Sequence, residues 1–140
     1  MWSNLRIGII GQGSQYKRIS KILTIKAAKF ITYKPSRNKS YYNKEKFEKL
    51  KKCNVIFILS PNNTHLKYIK LLHDNRFIFC EKPPVNSLND LKELKEIKSN
   101  KLYFNYNFRF SKISEVLENV KLFDLKELMY TNIITGHGLG

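Results

Sequence analysis

Three short breaks in this sequence hold residues able to bind and position phosphates, hydroxyls and protons. The first, Gly11-Gln12-Gly13, follows the β-rich run 5–10. Gly11 permits a tight strand-to-helix turn, and Gly13 leaves room for backbone to approach a pyrophosphate. A helix starting near Ser14 would aim its free N–H groups and positive dipole end at the phosphates. The third glycine of a G-x-G-x-x-G fingerprint is missing, and Tyr16 stands in its place. That glycine lets helix and strand pack closely, so the tyrosine must point away or push the helix outward. Taken alone, the glycine pair reads either as a phosphate loop or as a structural turn. The other two breaks are Ser60-Pro61-Asn62-Asn63-Thr64-His65 and Glu81-Lys82-Pro83, each directly after an apolar run.

A fourth segment bears on which phosphate-linked molecule would fit. Tyr33-Lys34-Pro35-Ser36-Arg37-Asn38-Lys39 stands where a dinucleotide enzyme preferring NAD carries an acidic residue for the ribose hydroxyls. No acidic residue is present. Ser36 and Arg37 could hydrogen-bond a 2′-phosphate, which a carboxylate would repel. The expected cofactor is therefore NADP or NAD, with NADP favoured. The competing reading is a solvated basic loop in a lysine-rich chain.

Alternating strands and helices must position these breaks. The extended runs are 5–10, 30–33, 55–59, 77–80, 102–106 and 129–135. Between them, Ile19, Ile22, Leu23 and Ala27 recur at helical spacing, and 44–51 reads as a helix with Phe47 and Leu50 inward. A helical period returns over 64–74. Ser87 with Asp90 three residues on forms a capping box that opens a helix carrying Leu88, Leu91, Leu94 and Ile97 inward. Residues 113–121 read as helical. Val55-Ile56-Phe57-Ile58-Leu59 is continuously apolar, as a parallel strand covered on both faces should be. The pattern predicts an α/β fold, a Rossmann-like doubly wound parallel sheet. Right-handed crossovers would bring every break named above to one edge of it, the carboxyl ends of the strands.

Composition narrows the field. With 140 residues the chain holds one ordinary domain, and 42% apolar and 13% aromatic residues suffice for a core. No apolar run approaches the ~20 residues of a membrane span, and the interrupted stretch near the N-terminus does not read as a secretory signal. Cys53 and Cys80 each sit beside or inside a strand-like run, which suits free buried thiols in a reducing cytoplasm and no metal site. The formal net charge of +15 invites a nucleic-acid reading. Yet 21 of the 26 basic residues are lysine, spread through helices and loops alike. A generally basic solvated surface explains that spread better than a nucleic-acid partner, and a phosphate-rich cofactor would also answer to it.

Ser60-Pro61-Asn62-Asn63-Thr64-His65 and Glu81-Lys82-Pro83, in this order, closely resemble two motifs of the Gfo/Idh/MocA family, the glucose–fructose oxidoreductase and inositol dehydrogenase-like proteins. The resemblance extends to Gly11-Gln12-Gly13-Ser14 with Lys17-Arg18, and to Asn105-Tyr106-Asn107-Phe108-Arg109-Phe110. It implies that Gly11, Gln12, Gly13 and Ser14 form the pyrophosphate turn. It implies that Ser60, Pro61, Asn62 and His65 wrap the ribose and nicotinamide side of the cofactor. Glu81 would help position the cofactor, and Lys82 would reach the substrate hydroxyl as the catalytic residue. Pro83 would hold that lysine at the strand end, and Asn107 and Arg109 match the segment leading into a second domain. The plain alternatives stay open: His65 as a helix-start cap, Lys82 as one more surface lysine.

The resemblance also implies a second, α+β domain that grips the substrate. Here the sequence offers only its beginning, so the expected organisation is a cofactor domain over 1–121 and a truncated start of the second domain over 122–140. The expected activity is that of an NAD(P)-dependent oxidoreductase acting on a sugar, cyclitol or sugar-nucleotide hydroxyl, weak or absent in this chain alone. The alternative is a non-catalytic dinucleotide-binding or partner subunit. A lone terminal strand is an association hazard, so residues 122–140 are expected to be disordered or to pair with a second copy or a completing chain.

Overall fold

The computed structural model describes residues 5–35, 44–106 and 112, and the elements below all lie within the compact unit Met1–Tyr106. Five strands, β1 (Ile7–Ile10), β2 (Phe30–Tyr33), β3 (Val55–Ile58), β4 (Phe77–Cys80) and β5 (Leu102–Phe104), alternate with four helices. These are α1 (Ser14–Ile25), α2 (Lys44–Lys51), α3 (His65–Leu72) and α4 (Leu88–Glu96). The runs 113–121 and 129–135 and the whole segment 122–140 fall outside the described residues. No helix of the described residues is long and apolar enough to cross a membrane.

All pairings are parallel, in the order β2-β1-β3-β4-β5. This is the doubly wound arrangement that the alternation predicts. β1 is buried along its whole length, and its alternate side chains feed two cores. Ile7 and Ile9 join Leu23, Ala28 and Val55 on the α1 side. Ile10 joins Phe47, Leu50, Ile56, Ile58, Ile69, Leu72 and Ile78 on the other. Fully burying one such side chain contributes about 2 kcal/mol, so the alternation in β1 fixes its register firmly. At Gly8 a Cβ would come within 2.6 Å of Leu50 Cδ2 and 2.9 Å of Ile56 Cδ1, so a side chain there would require both buried side-chain ends to shift.

The helix ends explain themselves locally. Ser87 Oγ accepts a hydrogen bond from the Asp90 amide at 3.0 Å, the N-cap that the sequence predicts. The Asp90 carboxylate in turn accepts from the Asn86 amide, at 3.4 Å, instead of from that of Ser87. Leu88, expected inward, is 78% exposed, and of the α4 positions expected inward only Leu94 is buried. Ile22 is likewise half-exposed. Helix α1 stops in a Schellman motif: the Ala28 amide bonds Leu23 O at 2.9 Å and the Ala27 amide bonds Thr24 O at 3.0 Å. Ala27 takes φ 51° to do so and lies outside the helix that its spacing had included. Arg76 closes two more ends, its guanidinium donating to Lys51 O at 2.7 Å and Leu72 O at 3.3 Å.

Candidate functional site

At the carboxyl edge, the chain leaves β1 towards β2 and leaves β3 towards β4. Loops from adjacent strands therefore part there, opening the crevice in which ligands of such sheets bind. Gly11 sits at this point with φ 106°, a conformation natural only to glycine. Its amide donates to Tyr33 O at 2.9 Å, while the Leu59 amide donates to Ile10 O at 2.8 Å. A Cβ on Gly11 would lie 2.5 Å from Leu59 O and 2.8 Å from the Ser60 nitrogen. The two strand exits are thus pressed backbone to backbone.

Gly13 is different. It is the N-cap of α1 in extended backbone, and a Cβ there would meet nothing within 4 Å. No side chain caps the helix, and its first turn has no acidic residue. Uncapped N–H groups with open space before them and no competing carboxylate suit a phosphate. Gln12, Gly13 and Ser14 are exposed at this rim. Tyr16 does not point away: it is half-buried and packs on the α1-side core.

The loop after β3 turns through a short 3-10 segment, Asn62–Thr64, directly into α3. Thr64 knots it, donating its hydroxyl to Pro61 O at 2.7 Å and sharing a 2.7 Å hydrogen bond with Ser60 Oγ. Ser60 is buried, whereas Pro61 and Asn62 face solvent. His65 is fully buried. Its Nε2 lies 2.7 Å from Ser60 O and its Nδ1 2.9 Å from Pro83 O. One ring therefore joins the loop after β3 to the loop after β4.

After β4, the Glu81 amide continues the ladder by donating to Ile58 O at 3.0 Å. The Glu81 carboxylate accepts from Asn105 Nδ2 at 2.7 Å, and the Asn105 amide donates to Cys80 O at 2.9 Å. Asn105 at the end of β5 thereby fixes the half-buried glutamate. Lys82 is exposed, and the Lys82–Pro83 peptide is cis. Just behind, Cys80 is 1% exposed, and burial, reinforced by the neighbouring Glu81 charge, pushes its thiol up to about 12. Burial likewise raises the Cys53 thiol, against the opposing charges of Arg6 and Arg76. Both cysteines are free and neither is a nucleophile at neutral pH.

Of the residues singled out from the sequence, Gly11, Gln12, Gly13, Ser14, Ser60, Pro61, Asn62, His65, Glu81 and Lys82 therefore belong to three neighbouring strand exits. Ser36, Arg37, Asn107 and Arg109 lie outside the described residues. Thr64 and Asn105 were missed as site residues. Both stand inside the motifs, yet only the fold shows that Thr64 binds back on its own loop and that Asn105 reaches across to Glu81. Among the described residues no cluster of His, Cys, Asp and Glu could hold a metal ion.

The family model described as "Oxidoreductase family, NAD-binding Rossmann fold", GFO_IDH_MocA, matches residues 5–106. The chain belongs to the Gfo/Idh/MocA oxidoreductase family. No curated protein matches it. The matched segment of this Gfo/Idh/MocA chain holds every described strand and all three exits of the crevice. Its uncapped α1 terminus and the open space at Gly13 fit the diphosphate of the family's NAD-type cofactor.

Proposed function

We propose that this Gfo/Idh/MocA chain binds NADP or NAD across the β1–β3 crevice and takes part in oxidising or reducing a hydroxyl of a sugar, cyclitol or sugar nucleotide. The observation that carries the reading is the meeting of three exits at one edge: the open glycine turn, the knotted β3 loop and the Glu81-Lys82 step. When bound, the nicotinamide supplies two-electron hydride chemistry. The protein's own share is positional. The first turn of α1 holds phosphate oxygens with backbone N–H groups, and Pro61 and Asn62 present the exposed rim of the β3 loop. Glu81, steadied by Asn105, borders the cofactor. Lys82 is exposed at a strand end, where its ammonium can hold a substrate hydroxyl and offset the negative charge that develops on that oxygen as its proton passes to solvent water.

NADP is favoured over NAD because the segment 33–39 carries Ser36 and Arg37 and no carboxylate. A reducing, cytoplasmic setting suits the two free buried thiols. Calorimetric titration with NADPH, NADH and ADP-ribose tests the reading. All three should bind, NADPH most tightly, and Arg37→Ala should erase its advantage over NADH. A folded protein that ignores all three at millimolar concentration refutes it. Binding without turnover of any polyol by the wild type would favour a non-catalytic dinucleotide-binding subunit instead.

A further inference from the structure

The structure assigns His65 a role as positioning residue: its buried imidazole clamps the β3 loop to the Lys82-Pro83 loop, so that the two walls of the crevice beyond the glycine turn move as one. This rests on the dinucleotide reading above. Three observations carry it. First, the ring is fully buried, so it does not itself present an atom to a ligand in the crevice. Second, each ring nitrogen faces a backbone carbonyl oxygen, Ser60 O at 2.7 Å and Pro83 O at 2.9 Å, from segments on either side of α3 and β4. Third, those carbonyls belong to the two loops that carry the exposed Pro61-Asn62 rim and the exposed Lys82.

The chemistry of the clamp is specific. Both partners accept hydrogen bonds. A neutral imidazole donates to one of them, and an imidazolium donates to both. An apolar ring of similar size would fill the space but remove every donor the imidazole supplies, leaving at least one carbonyl that it had bonded facing an apolar edge. A glutamine offers two amide hydrogens on one nitrogen and can reach at least one carbonyl.

The consequence divides the cofactor in two. The glycine turn and the α1 terminus are built from β1 and its crossover, and neither hydrogen bond of the His65 ring goes to them. They should hold the diphosphate whether or not the clamp is intact. On the dinucleotide reading, the half of the cofactor beyond the diphosphate would lie towards the exits of β3 and β4, which stand on the side of β1 away from β2. Only that half needs the two loops at a fixed separation.

The test compares NADPH with ADP, which retains the diphosphate but lacks the nicotinamide and its ribose, by calorimetry on the full chain. In wild type NADPH should bind more tightly. His65→Phe should lower NADPH affinity about tenfold, the worth of one to two hydrogen bonds, and change ADP affinity less than about twofold. His65→Gln should recover most of the loss. Amide hydrogen exchange on the wild type provides a second measurement that needs no variant: NADPH should protect residues 60–65 and 82–85 together, and ADP neither. An unchanged NADPH to ADP ratio in His65→Phe, an equal loss for both ligands, or protection of one loop without the other overturns the role of His65. A wild type that binds neither ligand overturns the dinucleotide reading itself, and the clamp falls with it.

Discussion

Gly11 and Gly13 look alike in sequence and do different things. At Gly11 both the positive φ and the 2.5 Å approach to Leu59 O exclude a side chain. Gly11→Ala should therefore cost about 1–3 kcal/mol of stability, read by urea unfolding. At Gly13 a methyl group meets nothing, so Gly13→Ala should leave stability within about 0.5 kcal/mol. It should instead weaken NADPH about tenfold by standing where a phosphate would approach. Equal effects of the two changes in both assays would remove the distinction between turn and cradle. Cys80 supplies a pH prediction. Its thiol ordinarily titrates at 9.0 and is raised to about 12 by burial. The native state thus favours the protonated form, and that contribution is complete below pH 9.0 and lost as pH climbs towards about 12. Urea unfolding at rising alkaline pH should show stability falling more steeply in wild type than in Cys80→Val. Alkylating reagents at neutral pH should label Cys80 only after unfolding.

Elements were legible where one local rule dominated. The continuous apolar run of β3, the Ser87 cap and the Phe47-Leu50 face of α2 each follow from short-range chemistry. Misplacements occurred where tertiary placement overrode periodicity: Leu88 and Ile22 sit at helical spacing, yet the fold leaves both exposed. Ala27 shows a subtler failure. Spacing placed it in α1, but it serves as the left-handed residue after the helix, a position that glycine usually fills. Relieving that backbone should help: Ala27→Gly is expected to raise stability by about 1 kcal/mol, with a corresponding rise in thermal midpoint. A fall would mean that the entropy of the freer unfolded chain outweighs the relief.

Across the whole molecule, the charge of +15 competes with the crevice as an explanation for any anion binding. The two separate by salt. A diffuse basic surface on duplex DNA releases many counterions and should lose affinity by orders of magnitude between low and physiological salt, whereas NADPH engages few charges and should lose little. Parallel salt slopes for the two ligands would place dinucleotide binding on the general surface instead of the strand edge. The order of motifs along the chain was enough to determine the α/β alternation, the family and the set of strand exits, because turns, caps and apolar periods are encoded within a few residues of one another. The tertiary structure alone decided how those exits meet. It pressed Gly11 against Leu59, carried Asn105 to Glu81, and buried His65 between two carbonyls. Those partners come from different crossovers, and only the parallel register of β1, β3, β4 and β5 brings them within hydrogen-bond reach.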